Sequence, residues 1–293
     1  MDGKIYSIPF QRSTMVLYYN KDAFKEVGLD PEAPPTTWEE LAEYGQKLTN
    51  DGRYGVGIAL KSGSAQWAFT GFCLQNSTDG QNLMSEDGKS VYFNTPENVE
   101  ALQFWLDLQN EYKCMAEGIV QWTDLPTQFL AGEVAMIYHT TGNMANIHDN
   151  ADFDFGTAFL PAHKRVGAPT GGGNFYISSN ISEDRVQAAW KFIKFATSTD
   201  RAAQWSLDTG YVATRQSCFD TDLIKDYYAE VPQASVAYEQ LPYAKPELTT
   251  YNAAEIWRVL NDNIQAAVVG DMSAQEALDA AQEQAEEVLS EYQ

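Results

Sequence analysis

Apolar positions along the chain follow two rhythms. Between Lys4 and Asn20 the run "KIYSIPFQRSTMVLYYN" is rich in strand formers, with Ile5, Val16, Leu17, Tyr18 and Tyr19 among them. It closes at Asn20-Lys21-Asp22, a turn or helix start. The segment reads as an internal strand whose neighbours are missing. Pro34-Pro35 then breaks the chain. Thr36 or Thr37 caps a helix with Glu39 or Glu40 three residues on, and Trp38, Leu41, Tyr44 and Leu48 give its apolar spacing. "GRYGVGIAL" predicts a short strand. "TPENVEALQFWLDLQNEY" predicts a helix with Pro96 in its first turn. A helix through Phe129-Leu130 ends at Gly132, and Val134 to Tyr138 predicts a short buried strand before another turn and helix. "FDFGTAFLP" and "GGGNFYIS" read as strands, the second entered through glycines. "EDRVQAAWKFIKFATSTDRAAQWSLDTG" predicts a helix pair with Ala189, Trp190, Ile193 and Phe195-Ala196 facing a core. A last acidic helix is capped by Ser273. Strands alternating with helices predict an α/β architecture.

Charge narrows the function classes. The chain of 293 residues carries 19 basic and 41 acidic residues, a net −22. Such a surface repels phosphate backbones and anionic lipid, which argues against nucleic-acid and membrane-surface roles. A hydrophobic share of 44% supports packed cores. No apolar run approaches the ~20 residues of a membrane helix, and Met1-Asp2-Gly3-Lys4 is not a leader pattern. Cys73, Cys114 and Cys218 form neither a disulfide framework nor a zinc motif, so the compartment stays open on cysteine usage.

The motifs of enzyme chemistry are not found. His139, His148 and His163 lack metal-ligand spacing, and His148 reads as a surface residue at a helix end. "GGGNF" at 171–175 is neither a dinucleotide fingerprint nor a P-loop. It is either a permissive turn before a strand or bare backbone that a ligand can approach. No nucleophile elbow occurs. Glu39-Glu40 suits a helix dipole better than acid–base work. The expectation is a non-enzyme without metal or cofactor. Trp67, Tyr211 and Trp257, in contrast, each lie beside polar or turn residues. Aromatic faces cover the C–H patches of a sugar, and neighbouring amides and hydroxyls satisfy its hydroxyl groups. Core packing is the competing role for each ring taken singly.

Several segments, in order, resemble the family 1 extracellular solute-binding proteins of ABC importers, typified by maltodextrin- and glycerol-3-phosphate-binding receptors. They are "DGKIYSIPFQRSTMVLYYNKDAF…TTWEELAEYGQKL", "FLAGEVAMIYHTTGNMANI", "FGTAFLP", "GGGNFYIS", "AAWKFIKFATSTDRAAQWSLDTGYVATR" and "GDMSAQEALDAAQEQAEEVL". The resemblance spans essentially the whole chain. It implies a type II periplasmic-binding-protein fold of two hinged lobes, with the first lobe incomplete. Residues 1–20 and 165–210 would be its remnant, and residues 21–164 and 211–293 the second lobe. The opening strand would be the one that crosses the hinge, with about 100 residues expected ahead of it. The family comparison also implies a periplasmic or surface location, permease subunits as partners, and no nucleic acid or membrane insertion by this chain.

The same resemblance implies site residues. Ser13 matches a ligand-contacting serine, with Arg12 where the glycerol-phosphate branch has a second serine. Trp67 matches a ligand-facing aromatic, Thr141 and Asn143 a donor loop, and Gly172, Gly173 and Asn174 a "GGAS"-like turn. Tyr211 matches the hinge-side tyrosine of "TGYLPIT". Position 257, an arginine in the glycerol-phosphate branch, is Trp257 here, and Arg258 is turned roughly 100° away on a helix. That favours a neutral sugar or oligosaccharide over glycerol-3-phosphate or a glycerophosphodiester, with Arg12, Arg215 or Arg258 as candidate charge partners. A polysaccharide-cleaving α/β enzyme and a scaffold module are the alternatives from other classes. A glycosidase needs two positioned carboxylates, and no such constellation is recognisable.

Overall fold

The computed structural model describes residues 4–60 and 64–293. Among these, the strands are β1 (Ile8–Asn20), β2 (Tyr54–Ile58), β3 (Val134–Thr140), β4 (Phe155–Ala158), β5 (Ala168–Phe175) and β6 (Ala244–Pro246). The helices are α1 (Lys21–Glu26), α2 (Trp38–Leu48), α3 (Ala65–Asn76), α4 (Pro96–Asn110), α5 (Leu125–Leu130), α6 (Met144–Asn150), α7 (Glu183–Ala196), α8 (Thr199–Thr209), α9 (Asp222–Glu230), α10 (Ser235–Gln240), α11 (Ala253–Val268) and α12 (Ala274–Leu289). No helix of the described residues is long and apolar enough to cross a membrane.

β1 organises the sheet, whose order is β2-β3-β1-β5-β6 with β4 also on β1. Met15 to Tyr19 pair antiparallel with β3, and Leu17 to Asn20 with β4. Ile8 to Thr14 pair with β5 instead. The strand therefore changes partners between Thr14 and Met15. It also explains its own unbroken apolar run. Side chains alternate across a strand, so a strand covered on both faces is apolar at every position. Met15, Leu17 and Tyr19 enter one core with Trp38, Phe72 and Trp105, while Val16 and Tyr18 enter a second with Phe129 and Ile147.

Local signals act largely as read. Thr37 caps α2 through the Glu40 N–H, but the Glu40 carboxylate accepts from Thr36 N–H and Oγ1, one residue before the cap. Ser273 and Glu276 form a complete capping box on α12. Buried Gln240 pins α10 to β1, donating to the Met15 carbonyl at 2.8 Å and accepting from Leu160 N–H at 2.8 Å.

Three expectations need correction. β1 begins at Ile8 rather than Lys4, because β5 ends opposite it at Phe175. The glycines at 171–173 lie inside β5, hydrogen-bonded to β1, and are not a turn leading into it. In α7 only Ile193 is buried. Trp190 is 39% exposed and Phe195 58%, because no element among the described residues covers that face.

Candidate functional site

Four segments converge where β1 changes partners. Ser13 stands opposite Gly171 and Thr14 opposite Thr170. On the other edge of β1, Arg12 and Val212 exchange backbone hydrogen bonds at 3.2 and 2.8 Å. The Thr14 N–H donates to Thr141 Oγ1 at 3.4 Å, which brings the end of β3 to the same point.

Glycine sets the shape of this junction. Gly172 has φ +125°, and a Cβ there would run into the Gln11 carbonyl and lie 3.1 Å from Arg12 Cα. Gly171 leaves space for two side chains, since a Cβ on it would sit 3.1 Å from Ser13 Oγ and 3.5 Å from Trp67 Cζ2. The Trp67 indole, carried by α3, thus lies over bare backbone beside a serine hydroxyl. Trp67 also meets Trp122, with ring centroids 5.7 Å apart, and Trp122 stacks on His139 at 3.8 Å. Trp67 Nε1 and His139 Nδ1 are buried and make no hydrogen bond among the described residues. These rings form a largely buried aromatic layer behind the Gly171 backbone, holding two unspent polar atoms.

Across the junction, Arg12 Nη1 donates to the Gly171 carbonyl at 3.1 Å. Arg12, Gly172, Asn174, Glu247 and Thr249 line a cavity of about 400 Å³. Burial pushes the Glu247 carboxyl above the usual range, and the Arg12 charge opposes that rise. Trp257 supports this wall from behind, its Nε1 donating to the Leu248 carbonyl at 2.6 Å.

The other sequence-derived residues are placed as follows. Gly173 pairs with Gln11 next to the cavity. Thr141 is buried, with its hydroxyl accepting from Thr14. Asn143 accepts from Asn146 at 3.1 Å, while its Nδ2 is buried without a partner. The Tyr211 ring covers Gly142, whose added Cβ would lie 2.5 Å from Tyr211 Cζ. Arg258 is spent on Glu255 and Asp262, both at 2.7 Å. Arg215 donates to the Thr197 carbonyl beyond the end of α7. Of the three arginines, Arg12 alone lines this cavity. Trp122, His139 in this role and Glu247 escaped the sequence reading. Trp122 and Glu247 sit in aperiodic loops, and the spacing of His139 in the sequence bears only on metal binding.

Burial pushes His139 down from its ordinary 6.5 to about 4, against the opposing effect of the Trp122 carbonyl 3.2 Å from Nε2. The unfolded chain takes up a proton below about 6.5 that the native state refuses until about 4. This group's contribution is therefore present above pH 6.5, and on the order of 3 kcal/mol is lost as pH falls to about 4. Urea unfolding of the wild type and His139→Asn across that window reads it. The wild type should lose more stability on acidification than the variant, and equal losses would refute the assignment.

Comparison with known proteins gives the following. A profile described as "Bacterial extracellular solute-binding protein" matches residues 1–233. The chain is 31% identical to the sn-glycerol-3-phosphate-binding periplasmic protein UgpB of Salmonella paratyphi A, over 99% of this chain and 68% of that protein. Among solved structures, UgpB from Mycobacterium tuberculosis in complex with glycerophosphocholine superposes with a TM-score of 0.88 at 26% identity, covering 100% of this chain and 72% of that one. A cyclic alpha-maltosyl-1,6-maltose binding protein from Arthrobacter globiformis superposes with a TM-score of 0.84 at 28% identity, covering 99% and 74%.

Proposed function

Because the chain belongs to the bacterial extracellular solute-binding proteins, we propose that it is the solute receptor of an ABC importer. It holds a sugar or oligosaccharide at the β1–β5 junction and presents it to the permease, outside the cytoplasm. The observation that carries this reading is Trp67 lying over Gly171 beside Ser13 Oγ, continued by the Trp122–His139 stack. A sugar ring stacks on the indole while its hydroxyls meet Ser13, Asn174 and exposed backbone. Every contact is non-covalent, and the role requires no bond chemistry.

In this reading residues 21–164 and 211–293 form one lobe together with residues 15–20, which pair with β3 and β4, and residues 1–14 and 165–210 belong to the other, which moves the boundary expected at residue 20 back to Thr14. The switch of β1 from β3 and β4 to β5 marks the crossing, and closure bends the chain there. The site residues are Ser13, Trp67, Thr141, Asn143, Gly172, Gly173, Asn174 and Tyr211, with Trp257 bracing the loop behind Glu247.

A second reading, a glycerol phosphate or its diester, is favoured by Arg12 in the cavity and by the names of two relatives. Against it, Arg258 is held by two carboxylates and is not free for bidentate phosphate binding. Calorimetric titration with malto-, gluco-, xylo- and galacto-oligosaccharides, glycerol-3-phosphate and glycerophosphocholine separates the two. Saturable heat with one saccharide class supports the first reading. Heat with the phosphates alone supports the second.

A further inference from the structure

The cavity beside Gly171 and Gly172 carries one base and one acid. Arg12 and Glu247 are the only charged residues that line it among the described residues. The Glu247 N–H donates to the Thr170 carbonyl at 3.1 Å, which fastens this residue against β5. The Arg12 charge acts on the Glu247 carboxyl, yet no ion pair joins the two among the described residues. The Glu247 carboxylate accepts no hydrogen bond among them either. Arg12 spends Nη1 on the Gly171 carbonyl, and the other N–H groups of its fork have no partner among the described residues.

These two groups ask for different partners. A guanidinium only donates hydrogen bonds, and an ionised carboxylate only accepts them. A neutral polyol does both through its hydroxyls, so one solute accepts from Arg12 and donates to Glu247. A phosphate ester brings acceptor oxygens and negative charge. It satisfies Arg12 but sets like charge against Glu247, in a cavity where burial already raises the cost of the carboxylate charge. At the separations of one small cavity, such a repulsion costs roughly tenfold or more in affinity.

We infer that Glu247 sets the charge selectivity of this receptor, admitting neutral polyols and turning away the anions that Arg12 by itself would attract. The inference rests on the saccharide reading above. It gives Arg12 a place in a site for neutral solutes, because its charge is offset across the cavity and not left to recruit phosphate. Discrimination of this kind comes from a group that repels the wrong solute as much as from contacts with the right one.

The test is calorimetric titration with glycerol-3-phosphate, glycerophosphocholine and the saccharide panel. It uses the wild type, Glu247→Gln, the double variant Arg12→Gln/Glu247→Gln, and Glu283→Gln. The last removes one acid from an exposed position on α12, so it matches the change in net charge away from the cavity. Thermal melts check folding, and Glu247→Gln should melt no lower than the wild type, since it removes a buried charge that has no ion-pair partner. Glu247→Gln should bind glycerol-3-phosphate at least tenfold more tightly than the wild type does. It should also lose several-fold in saccharide affinity, because an amide oxygen accepts less strongly than a carboxylate. The double variant should lose the phosphate gain, and Glu283→Gln should match the wild type. A Glu247→Gln protein that binds saccharide without the phosphate gain would overturn the inference and leave the receptor reading intact. So would an equal gain in Glu283→Gln, or a gain that survives in the double variant. Glycerophosphocholine binding that Glu247→Gln abolishes would overturn it too, by showing the carboxylate holding a cation. A wild type that answers to no saccharide would overturn both.

Discussion

Gly172→Ala is expected to lose at least about 3 kcal/mol of stability and, with it, solute binding. Two costs combine. At φ +125° an L-residue is strained, and the added Cβ meets the Gln11 carbonyl and Arg12 Cα, which are backbone and cannot rotate aside. Relief requires β5 to move off β1 where Arg12 pairs with Gly172 and Ser13 with Gly171. For a domain somewhat smaller than this chain, each kcal/mol lowers the midpoint by roughly 2–4 °C, so a drop of roughly 6–12 °C is expected. Gly118→Ala is the control. It also has positive φ, at +83°, but its Cβ meets nothing within 4 Å, so only the backbone cost of about 1 kcal/mol remains. Thermal melts of the two variants should differ clearly. Equal, small shifts would mean that the junction tolerates separation and does not shape the site.

Trp67→Ala is expected to abolish most binding, with a loss of about a hundredfold, and to destabilise the fold by about 3–5 kcal/mol. The second effect arises because Trp67 packs into the main core as well as over Gly171. Trp67→Phe separates the two roles. It keeps an aromatic face and removes an indole N–H that is buried with no partner among the described residues. Removing an unsatisfied donor recovers its desolvation cost, so stability should change by less than about 1.5 kcal/mol. Binding should weaken by several-fold as the stacking face shrinks and the indole N–H is lost. Retained affinity in a folded Trp67→Ala would place the solute elsewhere.

Much of the architecture was legible because it rests on local rules. Aromatic and β-branched strand formers marked β1, Pro96 marked the start of α4, and Ser273 marked the start of α12. Pairing is a matter of distant partners, so the partner change at Thr14–Met15 left no local trace. Likewise α7 has the periodicity of a buried helix, yet Phe192 and Phe195 are exposed, since a moment records which face is apolar and not what covers it. The resemblance brought Ser13, Gly172 and Trp67 to one junction from positions spread along the chain. It could not say that Trp257 Nε1 is spent on Leu248 or that Arg258 is held by Glu255 and Asp262, because neighbours in space decide both. Glu247 and Trp122 lie where the chain has no period, and only the folded geometry brings them to the site.

The most direct test of the account is intrinsic tryptophan fluorescence, titrated with the saccharide panel and glycerol-3-phosphate in the wild type and Trp67→Phe. The account predicts a saturable change with one saccharide class in the wild type. The amplitude should fall sharply in Trp67→Phe, with affinity reduced several-fold but still measurable. A signal undiminished by Trp67→Phe, or one elicited by glycerol-3-phosphate alone, would contradict it.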